Sequence, residues 1–375
     1  MLAYEEFHMC VSDFLRKKGW NETKENEEIV FSKGYSSYIS SKRKIDFLLD
    51  DKKFYMLLSS AFQKIGLKRE VLNSMKNEKK DTDFIIAALQ IANSYFSEKN
   101  YNVSFYSFQP VTRFNRLDKS GTEDGFLSSF VNIATVDIGT SIDNYLQRLD
   151  DWLSIFSMLS LHTSGFKLKL KPVAENRIYN NAEFNNGMKI KFCYKGLDIG
   201  VANLFDVNVQ QQNLLVSDFG SSYERLLWSV NGMEHFYAPL IPHVEFFLED
   251  KKKNDRIRTA TLMVMTGVLP SAKGSGVKIR SIIREVTDLR DELNILRMVD
   301  HYYQYYSKFI QPSLSLEQTK NIICTEVEYN KKLLIDHEKA DRSTNQTLDD
   351  LCVLRLIRNT KAINFDILKQ KKRED

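Results

Sequence analysis

Proline is scarce in these 375 residues, with six, and glycine (15), histidine (6) and cysteine (4) are also few. So little proline and glycine argues against long linkers and low-complexity arms, and for a compact chain. The cysteines Cys10, Cys193, Cys324 and Cys352 lie far apart with no Cys-x-x-Cys pair, and the histidines are scattered. That excludes a disulfide framework, predicts no metal site, and suits reduced thiols in a cytoplasmic protein. No apolar run approaches the ~20 residues that cross a bilayer, and nothing reads as a signal peptide, so no membrane partner is expected. An excess of one charge is missing too. The 53 Lys and Arg against 49 Asp and Glu leave +4, less than a dedicated nucleic-acid binder carries.

Aromatic residues are plentiful, with 24 Phe and 17 Tyr, and the apolar share is 43%. The chain is long enough for two cores, and the patterning changes at Gly232. Residues 1–232 read as a mixed strand and helix domain, and 233–375 as a helical one. Phe7, Val11, Phe14 and Leu15 share a helical face that Gly19 stops. The run Phe54-Tyr55-Met56-Leu57-Leu58 predicts a buried strand over 52–64. The Lys-rich segment 75–82 reads as a solvated loop, and 83–97 as a helix with Ile85, Ile86, Leu89 and Ile91 inward. Val103 to Arg113 alternates like a strand, Phe126 to Gly139 is a second extended run, and a polar loop joins them. Ser141 to Leu159 returns to helix, with Tyr145, Leu149, Trp152, Leu153 and Met158 packed. Two further strands fall within 188–211. With no helix between the last three strands, the sheet is antiparallel and the fold class is α+β, an antiparallel sheet flanked by helices and followed by an all-α domain.

The stretch from Leu214 to Trp228 is the most informative. An apolar run ends at Asp218, Gly220 offers a turn, and Tyr223, Leu226, Leu227 and Val230 continue at helical spacing behind Ser221 and Ser222, either of which can cap a helix. The Asp218 carboxylate is suited to an ammonium group, and the Arg225 guanidinium to a phosphate or a purine ring. Taken alone, Asp218 serves equally as a helix cap and Arg225 as half of a surface ion pair. Arg113 is in the same position at its strand end. Asn203, Asp206, Asn208 and Gln210 give one strand unusual polarity, which also fits the wet face of an edge strand.

Asp218, Gly220, Glu224 and Arg225 spell Asp-x-Gly-x-x-x-Glu-Arg at a strand-to-helix junction. This resembles motif 3 of class II aminoacyl-tRNA synthetases, in particular the alanyl family's Asp-Thr-Gly-Met-Gly-Leu-Glu-Arg, with Ser222 in place of the second Gly. A longer agreement runs through Asp255, Ile257, Arg258, Gly267, Val268, Pro270, Ser271, Gly276, Arg280, Ile282, Ile283 and Arg284. Those residues are similar, in register, to the family's Asp-His-Ile-Arg, Asp-Gly-Val-Met-Pro-Ser and Arg-Gly-Tyr-Val-Leu-Arg-Arg-Ile-Ile-Arg-Arg segments. Gln109 and Arg113 match the motif 2 strand. The resemblance spans nearly the whole chain. The family's editing and C-terminal oligomerisation domains have no counterpart in it.

The resemblance implies a ligase that joins a small amino acid, alanine or an analogue, to ATP as an aminoacyl-adenylate, with Mg2+ on the phosphates, and then transfers it to tRNA. Arg113 and Arg225 would be the catalytic cations. ATP would be bound by Arg113, Arg116, Phe130, Gly220 and Arg225, with Phe130 stacked on adenine. The amino acid would lie against Asp218, Asn203 and Asp206, and the tRNA acceptor stem against Arg280, Arg284, Asp291 and Asp349. The departures are specific. The family's Gly-Gly-Lys-His-Asn-Asp loop and His-His-Thr-Phe-Phe-Glu strand are replaced, leaving Arg116 and Lys119 as loop cations and Asn132 near the motif 2 Glu. The family's basic helix is thinned at Glu285 to Asp288. Two other readings therefore stand beside the first: a biosynthetic ligase that passes the amino acid to a carrier protein or small-molecule amine, and a non-catalytic RNA-binding paralogue.

Overall fold

The computed structural model describes residues 3–26, 28–34, 49–77, 83–173, 177–179, 182–232, 236, 251–286 and 292–343. In chain order these form α1 (Tyr4–Lys17), β1 (Asn21–Glu25), β2 (Glu28–Ser32), α2 (Asp51–Lys64), β3 (Lys68–Arg69), a 3-10 turn (Ala88–Ile91) and α3 (Ala92–Ser97). There follow β4 (Val103–Thr112), β5 (Ser129–Ile138), α4 (Ile142–Met158), β6 (Phe166–Val173), β7 (Arg177–Tyr179), β8 (Ala182–Tyr194), β9 (Leu197–Val209) and β10 (Gln212–Ser222). Helices complete the described chain: α5 (Tyr223–Asn231), α6 (Lys251–Met265), α7 (Gly276–Arg284), α8 (Glu292–Ser307) and α9 (Leu316–Ser343).

The strands make one sheet in the order β1-β2-β6-β8-β9-β10-β5-β4-β3, with β7 on β8. Every pairing is antiparallel except the short β3–β4 contact. The fold is α+β, a mostly antiparallel sheet flanked by helices, with helices following it. Hairpin connections carry β8 to β9 and β9 to β10, and side-chain alternation then sorts residues between two faces. One face holds Phe219, Ile133, Ala202, Ile190 and Phe192, which bury against α1 and α4 through Phe7, Tyr145, Trp152 and Phe156. The other face holds Val136, Val216, Phe205 and Phe184, covered at that end by Ala88, Ile91 and Phe96.

Three local expectations are corrected. Residues 52–64 are helix, not strand: Phe54, Leu58, Ala61 and Phe62 are buried at helical spacing, Asp50 caps the N-terminus through Lys53 N, and Met56 and Leu57 of the apolar run are exposed. Residues 83–97 form an extended stretch, the 3-10 turn and short α3, because Gln90 Oε1 takes the Ile86 and Ala87 amides that a continuous helix would use. Met158, at the end of α4, is 46% exposed, and Phe156 fills the core instead. Among the described residues no helix is long and apolar enough to cross a membrane.

Candidate active site

The register of β10 assembles the site. Asp218 pairs with Asn203 on β9 and Val136 on β5, and Gly220 pairs with Val201 and Ala134. Paired residues share a face, so Asp218, Asn203 and Gly220 lie together on the face opposite α1 and α4. Asn203 Nδ2 donates to Asp218 Oδ2 at 3.4 Å. Asp206 does not join them. It pairs with Leu215, an odd number of residues from both Asn203 and Asp218, and so projects to the other side. Gly220 makes no turn either. The strand continues through it to Ser222, whose hydroxyl caps α5 at Arg225 N, and the chain changes direction there.

Further along the same face, Phe130 pairs with Val111 at the start of β5, and Arg113 follows β4. Arg113 donates from Nε and Nη2 to the Ile86 carbonyl at 3.1 and 3.0 Å, and its guanidinium lies 5.0 Å from the Phe130 ring centroid. Arg225 is held more firmly. Nε and Nη2 donate to the Gly125 carbonyl at 2.9 and 2.7 Å, Nη1 donates to the Asp198 carbonyl at 3.1 Å, and Phe126 lies beneath it at 5.8 Å. Burial pulls its pKa below the usual arginine value, while the Asp198 charge opposes that. Arg225 thus ties α5 to β9 and to the loop between β4 and β5. Arg116 lies exposed in that loop, and Lys119 pairs with Glu123 at 2.9 Å.

Several side chains that fix this arrangement carried no expected role. Glu224, fully buried, accepts from Val131 N through both oxygens at 3.1 Å, from Ser222 Oγ at 3.1 Å and from Tyr305 at 3.0 Å, and pairs with buried Arg258. Its position three residues before Leu227, on the buried side of α5, was the available signal. Asp255 takes the Ser128 amide at 3.0 Å and hydroxyl at 2.6 Å, together with the Ser120 hydroxyl. Arg256 donates to the Leu117 carbonyl at 2.9 Å and to Glu285 at 2.9 Å. The start of α6 therefore clasps both ends of the β4–β5 loop. Asn132 is spent on structure, accepting from Ala88 N and donating to the Ser221 carbonyl.

On α7, Arg280 donates to Glu326 of α9 at 2.8 Å, and this hydrogen bond raises its pKa; Arg284, one turn on, is exposed. Asp291 and Asp349 lie outside the described residues. Among the described residues, no three His, Cys, Asp or Glu side chains stand close enough to hold a metal ion.

No family model matches the chain. No curated protein matches it either. Solved structures to which it is similar include pyrrolysyl-tRNA synthetase from Desulfitobacterium hafniense, at 12% identity over 50% of this chain and 71% of that one, with a TM-score of 0.36. A second structure of pyrrolysyl-tRNA synthetase from that organism has 14% identity, the same coverages and the same TM-score. Seryl-tRNA synthetase from Pyrococcus horikoshii complexed with ATP has 10% identity over 51% of this chain and 57% of that one, with a TM-score of 0.29.

Proposed function

We propose that this chain activates a small amino acid, alanine or a close analogue, with ATP as an aminoacyl-adenylate and transfers it to a tRNA acceptor end. The observation that carries the reading is the single sheet face shared by Asp218, Asn203, Gly220 and Phe130, with Arg113 at its end. Asp218 pairs with Val136, six residues from Phe130, which is about 20 Å along a strand. That length accommodates a nucleotide and an amino acid end to end. Adenylate formation needs the two reactants aligned and the phosphate charge held, more than it needs proton transfer.

In this reading the substrate ammonium meets the Asp218 carboxylate, which the Asn203 amide orients. The side chain lies over part-exposed Gly220, whose small size favours a short group. Arg113 turns from the Ile86 carbonyl to the α-phosphate, and the Phe130 ring meets adenine. Arg225 holds the Gly125 end of the loop over the nucleotide and faces the outer phosphates. Mg2+ would accompany the nucleotide, held chiefly by its phosphate oxygens, and would offset their charge beside Arg113 and Arg225.

The test is amino-acid-dependent exchange of pyrophosphate into ATP over a panel of amino acids, without and then with tRNA. Alanine or a close analogue is expected to support exchange, and Arg225→Ala to lower it by about 100-fold or more. Failure with every amino acid in both conditions would sink the proposal. Exchange without any transfer to tRNA would redirect the search to a carrier protein or an amine.

A further inference from the structure

The loop between β4 and β5 folds back on itself and rests against α6 at its middle. The Arg116 carbonyl accepts from Lys119 N and Ser120 N, both at 3.1 Å, and the Lys119 carbonyl from Thr122 N at 3.0 Å and Glu123 N at 2.9 Å. Gly121 stands in this run at a φ of +81°, and a Cβ there would lie 2.3 Å from Lys252 Cα and 2.9 Å from the Lys251 carbonyl oxygen. The loop backbone therefore seats directly on the first turn of α6, a contact that only glycine permits. Arg116, which opens the turn, is exposed.

The polar contacts of the loop gather on one buried carboxylate. Asp255 receives the Ser128 amide at 3.0 Å, the Ser128 hydroxyl at 2.6 Å, the Ser120 hydroxyl, and Arg256 Nη1 at 2.9 Å. Arg256 donates in addition from Nη1 to Ser120 Oγ at 3.3 Å and from Nη2 to the Leu117 carbonyl at 2.9 Å. Leu117, Ser120 and Ser128, spread along the loop, are thus fixed to two consecutive residues of α6. The arm at Gly125 is fixed separately, by Arg225 of α5. A buried ion pair adds little net stability over apolar packing of the same volume; what it fixes is geometry. Here that geometry is the Arg116–Ser120 turn, since Ser120 gives its amide to the Arg116 carbonyl and its hydroxyl to Asp255.

We propose that Asp255 is a positioning residue for ATP: through Ser120 it fixes the turn from which Arg116 meets the outer phosphates. The nucleotide's part in this rests on the proposed function, whereas the seating of the loop does not. The experiment uses the full chain in a Mg2+ buffer. Binding of a fluorescent ATP analogue is followed by anisotropy, and pyrophosphate exchange is measured with ATP and the amino acid varied in turn. Asp255→Asn keeps the shape but sets a second donor against Arg256. Ser120→Ala removes only the loop hydroxyl, and Gly121→Ala drives the loop off α6 while leaving the Asp255–Arg256 pair in place. A hydrogen bond to a charged group corresponds to about tenfold in an equilibrium constant. Each variant is therefore expected to weaken analogue binding and raise the ATP KM by about that factor, with the amino-acid KM unchanged. Loss of folded chain alone lowers the maximal rate and moves neither constant, so a variant that folds poorly still gives a readable answer. Arg116→Ala is expected to weaken the analogue as much, and Ser120→Ala added to it to weaken it no further, because the two act as one unit. Additive losses, unchanged ATP constants in all three variants, or equal rises in both KM values overturn the proposal. A chain that binds the analogue in this Asp255-dependent way, yet supports exchange with no amino acid, would remove the adenylation reading and leave the positioning role standing. One that binds no analogue removes both.

Discussion

Glu224 shows how much of the site depends on one side chain outside it. With no exposed surface, its carboxylate joins the start of β5, the cap of α5, α6 through Arg258 and α8 through Tyr305. Arg258 also donates to Tyr306 at 2.9 Å, and burial lifts the Tyr306 hydroxyl to about 12 against the pull of that guanidinium. Removing one partner of a buried pair strands the other charge, which costs about 3–5 kcal/mol, whereas replacing both with apolar groups is often close to neutral. Glu224→Ala is therefore expected to lower unfolding free energy in urea by that amount, and Glu224→Leu with Arg258→Met to recover most of it. Equal losses in both variants would mean the pair is held by something other than charge compensation. That Asp218 lies on a strand and Arg225 on the helix after it was legible from the sequence, because apolar runs and the change to helical spacing are local signals, whereas the candidate roles of Asp218, Asn203 and Arg225 came from the resemblance. Asp206 is separated from that face by parity: residues 203 and 206 differ by an odd number and cannot share a strand face. Phe126, under both Arg225 at 5.8 Å and Lys119 at 5.1 Å, was not legible as a ring partner, because only the folded loop brings those cations to it.

Elements were read well where the apolar period was unambiguous. β4, β5, α4, β9 and β10 lie where the apolar pattern set them, within a few residues, β8 begins at Ala182, six residues before the expected 188, and Gly19 ends α1 through its positive φ of 80°. The apolar run of α2 misled because Met56 and Leu57 are surface residues, so five consecutive apolar side chains concealed a helical stripe. Docking between elements rests on polar contacts that periodicity does not show, and α1 against β1 is one case. Glu22 on β1 accepts from His8 and from Ser12 at 2.8 Å, and pairs with Arg16 at 2.8 Å. Burial by itself would raise the Glu22 carboxyl, but the hydrogen bonds from Ser12 and His8 and the Arg16 charge outweigh it and hold the pKa below the usual glutamate value. A carboxyl with a lowered folded pKa stabilises fully above its unfolded value, near 4.3, and loses that contribution as pH falls through the folded value. Glu22→Gln should accordingly lower stability at pH 7 by up to about 1 kcal/mol, and the deficit should close below about pH 4. Urea melts of both proteins across that range would measure it. A deficit unchanged at low pH would assign the effect to packing.

At the scale of the whole molecule, which strands neighbour one another is settled by long-range pairing that no window of sequence displays. The same is true of the core. The boundary at 232 divides the chain where its patterning changes, yet one apolar cluster crosses it: Phe309, following α8, packs on Tyr223 at 5.2 Å, on Tyr55 at 5.6 Å and on Phe108 at 6.1 Å. Polar contacts cross it as well, from Asp255 and Arg256 to the β4–β5 loop and from Arg258 to Glu224. A fragment of residues 1–232 would uncover those rings, release the loop that carries Arg116 and Lys119, and leave Glu224 without its countercharge among apolar neighbours. The uncovered rings and the stranded Glu224 charge are each large beside the roughly 5–15 kcal/mol by which domains are stable. The fragment is therefore expected to retain strand content by far-ultraviolet circular dichroism but to lose near-ultraviolet signal and bind a hydrophobic dye, while the full chain keeps both spectra and excludes the dye. A fragment with a cooperative melt and dispersed amide resonances would show instead that the sheet closes its own core, and that the α6 clasp on the loop serves ligand binding and not folding.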